Sequence, residues 1–239
     1  KRRFLPREEA GIEHAAAAAA EALASVQDAA ATLADALCLD APDTPQATRR
    51  LQTAARYVLD APRLSGMHVQ SEAWRVHADA LRDLVSAGTR HAALRAEYDD
   101  VLIPEAWSQD VFEIRQALAK HGDTWYRWLL SEWRTAKNDL AALCKTQLPG
   151  SAQARVELVD AILEVQRLDE RLDEAASRAE AAFGRAWRGT DSDWARLQAA
   201  TAFLTELHQH VAEGDLPPPL LETVADPPES DRVEAPVET

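Results

Sequence analysis

The stretch that decides the fold is Ala154–Phe183, which reads ARVELVDAILEVQRLDERLDEAASRAEAAF. Within it Ala154, Leu158, Ala161, Val165, Leu168, Leu172, Ala175, Ala179 and Ala182 recur at spacings that alternate between four and three. That alternation is the a/d seam of a helix lying lengthwise against another helix. A second seam stands near the start of the chain, at Ile12, Ala16, Ala19, Leu23, Val26, Ala30, Leu33 and Leu37. Each seam covers about four heptads, so each predicts a helix roughly 40–50 Å long.

Small residues crowd one end of each seam, at Ala15–Ala20 in the first and at Ala175, Ala179 and Ala182 in the second. Antiparallel pairing sets these two ends side by side, where the backbones can approach closely. The expected fold is therefore all-α, a long antiparallel two-helix coiled-coil stalk carrying a distal head of shorter helices. The boundaries expected are 1–39 for the first stalk helix, 40–150 for the head and 151–189 for the second stalk helix and its turn. A base helix at 190–213 and a tail at 214–239 complete the chain.

In the head, Thr44 before Pro45 reads as an N-cap, and Pro62 ends the helix that follows. A helix starting at Ser71-Glu72-Ala73-Trp74 is expected to stop near Gly88, with Thr89 capping a short continuation to Ile103. Two more helices are expected at Trp107–Lys120 and Asp123–Thr146, and Pro149-Gly150-Ser151 turns the chain into the second seam. No segment alternates with period two, so no sheet is expected. From Gly214 onward Pro, Glu and Asp dominate, which predicts a disordered or tethering tail.

Ala- and Leu-rich composition with only 8 glycines in 239 residues agrees with helix almost throughout. A net charge of −14 argues against a protein that coats nucleic acid, because phosphate neutralisation needs clustered Lys and Arg. Cys38 and Cys144 stand far apart without a CxxC companion, so neither a disulfide framework nor a zinc site is read from them. No apolar run reaches the length of a membrane span and no signal peptide is visible, which makes a cytoplasmic protein the expectation. The chain begins at Lys1 without Met, as a piece of something longer would.

The turn after the second seam gathers the candidate structural and interaction residues Phe183, Gly184, Trp187, Gly189, Asp191 and Trp194. Gly184 sits where a helix C-terminus favours a left-handed residue, and Thr190 with Asp193 reads as a capping pair opening the base helix. Gly184 and Gly189-Thr190 imitate the glycine spacing of a phosphate loop. No Lys follows Gly189, however, and a helix rather than a strand precedes it. The segment alone is therefore expected neither to bind nor to hydrolyse nucleotide, and no catalytic residue, cofactor or metal site is assigned. Ser131 and Ser192 lack the His and Asp company of a nucleophile.

Trp125, Arg127 and Arg134 are candidate nucleic-acid contacts, although Trp125, Trp128 and Trp133 lie near one helical stripe and suit a core. His208 and His210 point in different directions from one helix, and with Glu206 they read as solvated polar residues rather than ligands. His68 and His77 are isolated. Asp169, Glu170, Asp173 and Glu174 alternate with Arg167, Arg171 and Arg178 as an exposed, ion-paired face.

In the order of these features the chain resembles the helical insertion of large bacterial superfamily 1 helicase-like ATPases that act on DNA or RNA. The resemblance rests on Asp60-Ala61-Pro62-Arg63-Leu64-Ser65-Gly66, Ala73-Trp74-Arg75, Trp125-Tyr126-Arg127-Trp128-Leu129 and the turn from Phe183 to Trp194. It spans residues 8–212, and the turn is its sharpest element. The resemblance implies that the motor halves lie outside this segment and are its partners in cis. It also implies a weak nucleic-acid contact at most, and a protein partner at the distal head. A free-standing coiled-coil scaffold that dimerises through the same seams is the alternative.

Overall fold

A computed structural model describes residues 6–121, 126 and 129–227. The helices are α1 (Pro6–Ala36), α2 (Pro45–Leu59), α3 (Ala73–Val76), α4 (Ala78–Tyr98), α5 (Phe112–His121), α6 (Ser131–Ala142), α7 (Ala152–Phe183), α8 (Trp194–Glu213) and α9 (Leu220–Ala225). Short 3-10 turns occupy Pro104–Ser108 and Gly184–Ala186. No strand forms among the described residues; there are only isolated bridges at Leu102–Cys144 and Arg188–Thr190. The protein is all-α.

The chain divides into two units, one of residues 1–76 with 200–239 and one of residues 77–199. In the second unit α7 is the central helix. Ser151 caps it by accepting a hydrogen bond from the Ala154 amide at 3.0 Å, and Gly184 ends it at φ 50°. Seam residues Leu158, Ala161, Val165, Leu172, Ala179 and Ala182 are all buried. So are Val159 and Ile162 beside the seam, because α7 is packed by α4 and α5 together rather than by one partner. Leu94, Leu102, Trp107, Leu118, Trp133 and Leu140 complete this core.

Polar groups fix the register of α7. Gln166 donates through Nε2 to the carbonyls of Trp107 and Gln109, at 3.0 and 2.8 Å. The buried Arg155 donates to the Pro149 carbonyl at 2.8 Å, closing the turn that precedes the helix. At the rim, Arg90 forks onto Glu164 at 3.0 and 3.3 Å, and Arg171 of the acid-rich face reaches Asp83 of α4 at 3.5 Å.

In the first unit the C-terminal end of α1 is buried at Ala30, Leu33 and Ala34, with Leu37 just beyond the helix, where it meets α2. Thr44 caps α2 as expected, accepting from the Ala47 amide at 3.1 Å. The Trp74 indole donates to the His68 carbonyl at 2.8 Å and is wholly enclosed.

Several expectations change. The α7 seam is filled within its own unit by α4 and α5, with α4 presenting an apolar face at Leu81, Leu84, Val85 and Leu94. Helix α4 runs unbroken through Gly88 instead of ending there. Of the stretch expected as one helix from Asp123 to Thr146, the described residues form α6 over Ser131–Ala142; Trp125, Arg127 and Trp128 lie outside the described residues. The tail is packed at least as far as α9, because Leu216, Leu220 and Val224 recur every four residues and are buried. The Thr223 hydroxyl donates to the Leu37 carbonyl at 2.8 Å and ties α9 to the end of α1. Among the described residues no helix is long and apolar enough to cross a membrane.

Candidate functional site

The turn between α7 and α8 is a clasp of aromatic rings. Phe183 is fully buried and stacks on Trp187 at a centroid distance of 6.3 Å, with 18° between the planes. Trp187 then meets Trp194 edge-on at 5.7 Å and 81°. Trp194 is buried, whereas Trp187 stays half-buried. Gly189, at φ 59°, needs the left-handed conformation that glycine adopts at no steric cost.

Ser192, not Thr190, organises the loop. Its hydroxyl donates to the Gly189 carbonyl at 2.7 Å and accepts from the Arg188 amide at 2.9 Å. The cap of α8 is Asp193, whose carboxylate accepts from the Arg196 amide at 3.1 Å. The capping role therefore shifts three residues along, and Thr190 offers only its carbonyl, to the Trp194 indole N–H at 3.3 Å. Asp191 is exposed.

The surface that receives Trp194 explains Gly88. A Cβ built on Gly88 would stand 2.2 Å from two carbons of the indole, so the ring occupies the space that a side chain would take. A glycine inside a helix costs about 1 kcal/mol relative to alanine, and here close approach of the indole offsets that loss. In the sequence Gly88 reads as a helix end, whereas α4 runs through it. The signal that identifies it is the unbroken helical period on both sides of an isolated glycine.

One turn along α4, His91 is buried, with Nε2 2.9 Å from Asp169 Oδ1 of α7. Its Nδ1 meets no hydrogen-bond partner among the described residues. Burial pushes the imidazole pKa below its ordinary value, and Arg95 acts in the same direction, while Asp169 and Asp191 oppose the shift. The net effect is a neutral ring in the core. His91 carried no sequence signal beyond lying on the apolar face of α4.

The other candidates disperse. Arg134 is exposed on α6, and Trp125 and Arg127 lie outside the described residues. His208 is a core residue rather than a solvated one: it is buried, and its Nε2–H donates to the Val69 carbonyl at 2.7 Å. Desolvation lowers its pKa. His210 faces outward from the same helix, so the two histidines do diverge as their spacing predicts.

Exposed apolar side chains also line the N-terminal part of α1. Residues 10–28 are exposed almost throughout, including the seam residues Ile12, Leu23 and Val26, each at least half exposed. No family model matches the chain, and neither a curated protein nor a solved structure matches it.

Proposed function

We propose that this chain is a non-catalytic helical interaction module that serves a helicase-like ATPase of superfamily 1, positioning a partner or motor lobe. The observation that carries the interaction role is α1, whose seam is uncovered from Ile12 to Val26 while its far end is anchored at Leu33 and Leu37. A helix with one end held and an apolar stripe offered lengthwise suits pairing with a second helix. In this reading α1 is one strand of a two-helix stalk, and the other strand comes from the parent protein. The link to a motor rests on the resemblance at residues 60–66, 73–75, 125–129 and 183–194. Nucleic acid is a minor contact in it, in keeping with a net charge of −14.

A coiled-coil scaffold built from two copies is the second reading. It is favoured by Ala15, Ala22 and Ala29 beside the seam, small residues that permit close approach of two α1 helices. Light scattering on the intact chain separates the two. The insertion reading expects the mass of one chain at micromolar concentration, with phosphate-loop and helicase motifs in the coding sequence on either side. A stable dimer that Leu23→Asp with Val26→Asp dissociates would overturn it in favour of the scaffold.

A further inference from the structure

Three metal-ligating side chains converge where α8 ends. His210 and Glu213 lie three residues apart and share a helix face, and Asp215 follows on the turn. One ligand atom from each of the three lies within 4.8 Å of the other two. His210 Nδ1 and Asp215 Oδ2 stand 3.5 Å apart. Two ligands bound tetrahedrally at zinc's usual bond lengths of about 2.0–2.1 Å stand about 3.3 Å apart. That pair is therefore already near ligand spacing, and the two remaining distances, both to the exposed Glu213, are within 4.8 Å.

The backbone, not the carboxylates, holds the turn in place. Gly214 adopts φ 79°, the amides of Asp215 and Leu216 both donate to the His210 carbonyl, and Leu216 is buried. Asp215 is thereby fixed beside His210 whatever its charge. The turn also sets two carboxylates at the C-terminus of a twenty-residue helix, the negative end of its dipole, where anions are disfavoured and a cation is stabilised.

The surroundings match the outer partners of a metal-bound histidine. The other imidazole nitrogen, Nε2, faces Glu206 Oε1 at 3.9 Å. Glu206 is itself held by the Tyr57 hydroxyl at 3.0 Å, and the Tyr57 ring stands edge-on to His210. The Gln209 amide donates to Glu213 Oε1 at 2.9 Å, leaving the second carboxylate oxygen for a ligand bond. At 3.9 Å the contact of His210 with Glu206 is an ion-pair separation rather than a hydrogen bond, and a carboxylate beside the free nitrogen of a metal-bound histidine is where the orienting partner of such a site stands.

We propose that His210, Glu213 and Asp215 form a surface site for a divalent transition-metal ion of the zinc class. One nitrogen and two carboxylate oxygens suit a borderline cation better than magnesium or calcium, which favour all-oxygen shells. The two carboxylates balance the charge of the ion. Three protein ligands leave a fourth position for water or for a donor from another molecule. This replaces the expectation that His210 is simply solvated, and it stands independently of any motor partner.

Titration calorimetry of the intact chain with zinc chloride tests the site. A Cys38→Ser/Cys144→Ser background removes the two free thiols from competition. The expected result is one ion per chain, with affinity reduced at least about tenfold by His210→Ala and again by Asp215→Asn. Zinc should also raise the melting temperature of the parent chain, and a chelator should reverse the rise. Both substituted side chains are at the surface, and an unchanged helical circular dichroism spectrum would show that the variants fold. Absence of saturable binding, or binding that survives His210→Ala undiminished, overturns the proposal.

Discussion

Helices α1 and α7 carry the same heptad alternation, yet α7 buries its seam while α1 leaves most of its own in water. Around α7, side chains converge from two flanking helices, and Gln166, Arg155 and Glu164 lock the register through hydrogen bonds. Around α1, among the described side chains, the last two turns are the ones that are buried. The difference teaches that a heptad pattern states which residues share a face and says nothing about what covers it. A helix whose seam is satisfied inside its own unit is structural. One whose seam is left open offers an apolar face along its length.

The comparison is tested most severely where the α7 unit closes. Trp194→Ala removes the buried indole that fills the space above Gly88, and a loss of about 3–5 kcal/mol is expected in denaturant unfolding. Trp187→Ala should cost less, since that ring is half in solvent. Hydrogen exchange on Trp194→Ala should show protection lost at residues 190–199 and kept at 131–142. An unchanged unfolding midpoint would mean that the clasp does not hold the unit together, and its aromatic rings would become candidates for a binding surface.

Matched truncations within the two seams set the helices directly against each other. Leu172→Ala in α7 leaves a cavity in the core and should destabilise by about 2–5 kcal/mol. Leu23→Ala in α1 should change stability by no more than about 0.5 kcal/mol, because the leucine is 58% exposed. Equal costs at the two positions would break the comparison and show that the α1 seam is covered in solution.

The smallest expected effect is acid sensitivity. His91 and His208 are both held below the ordinary histidine range by burial, so in the folded chain they resist a proton that the unfolded chain accepts. Their contribution to stability is fully present above about pH 6.5 and is lost as pH falls below it. Melting temperatures recorded from pH 7.5 to pH 5 should decline, and His208→Gln should reduce the decline. A flat profile would show that both imidazoles titrate freely and that neither core excludes water as the buried positions indicate.

The sequence by itself determined the helices and many of their ends. The all-α class, the span of α2 between Thr44 and Pro62, and the entry into α7 through Pro149-Gly150-Ser151 follow from caps, breakers and periodicity, which are local and act within a few residues. The positive φ at Gly184 was legible for the same reason. Partnership was decided only by tertiary structure. Periodicity alone paired α7 with α1, whereas the apolar faces of α4 and α5 take the seam. Gly88 looked like a helix end until the indole of a residue more than a hundred positions away was found in its place. His208 reads as solvated from its sequence, whereas its Nε2–H donates a hydrogen bond to the Val69 carbonyl in the core. Likewise Asp215 joins His210 through a turn whose geometry is set by the positive φ of Gly214 and the burial of Leu216. Each of these depends on groups brought together by packing between distant segments, and packing is a property of which surfaces compete for one another rather than of any single stretch of chain.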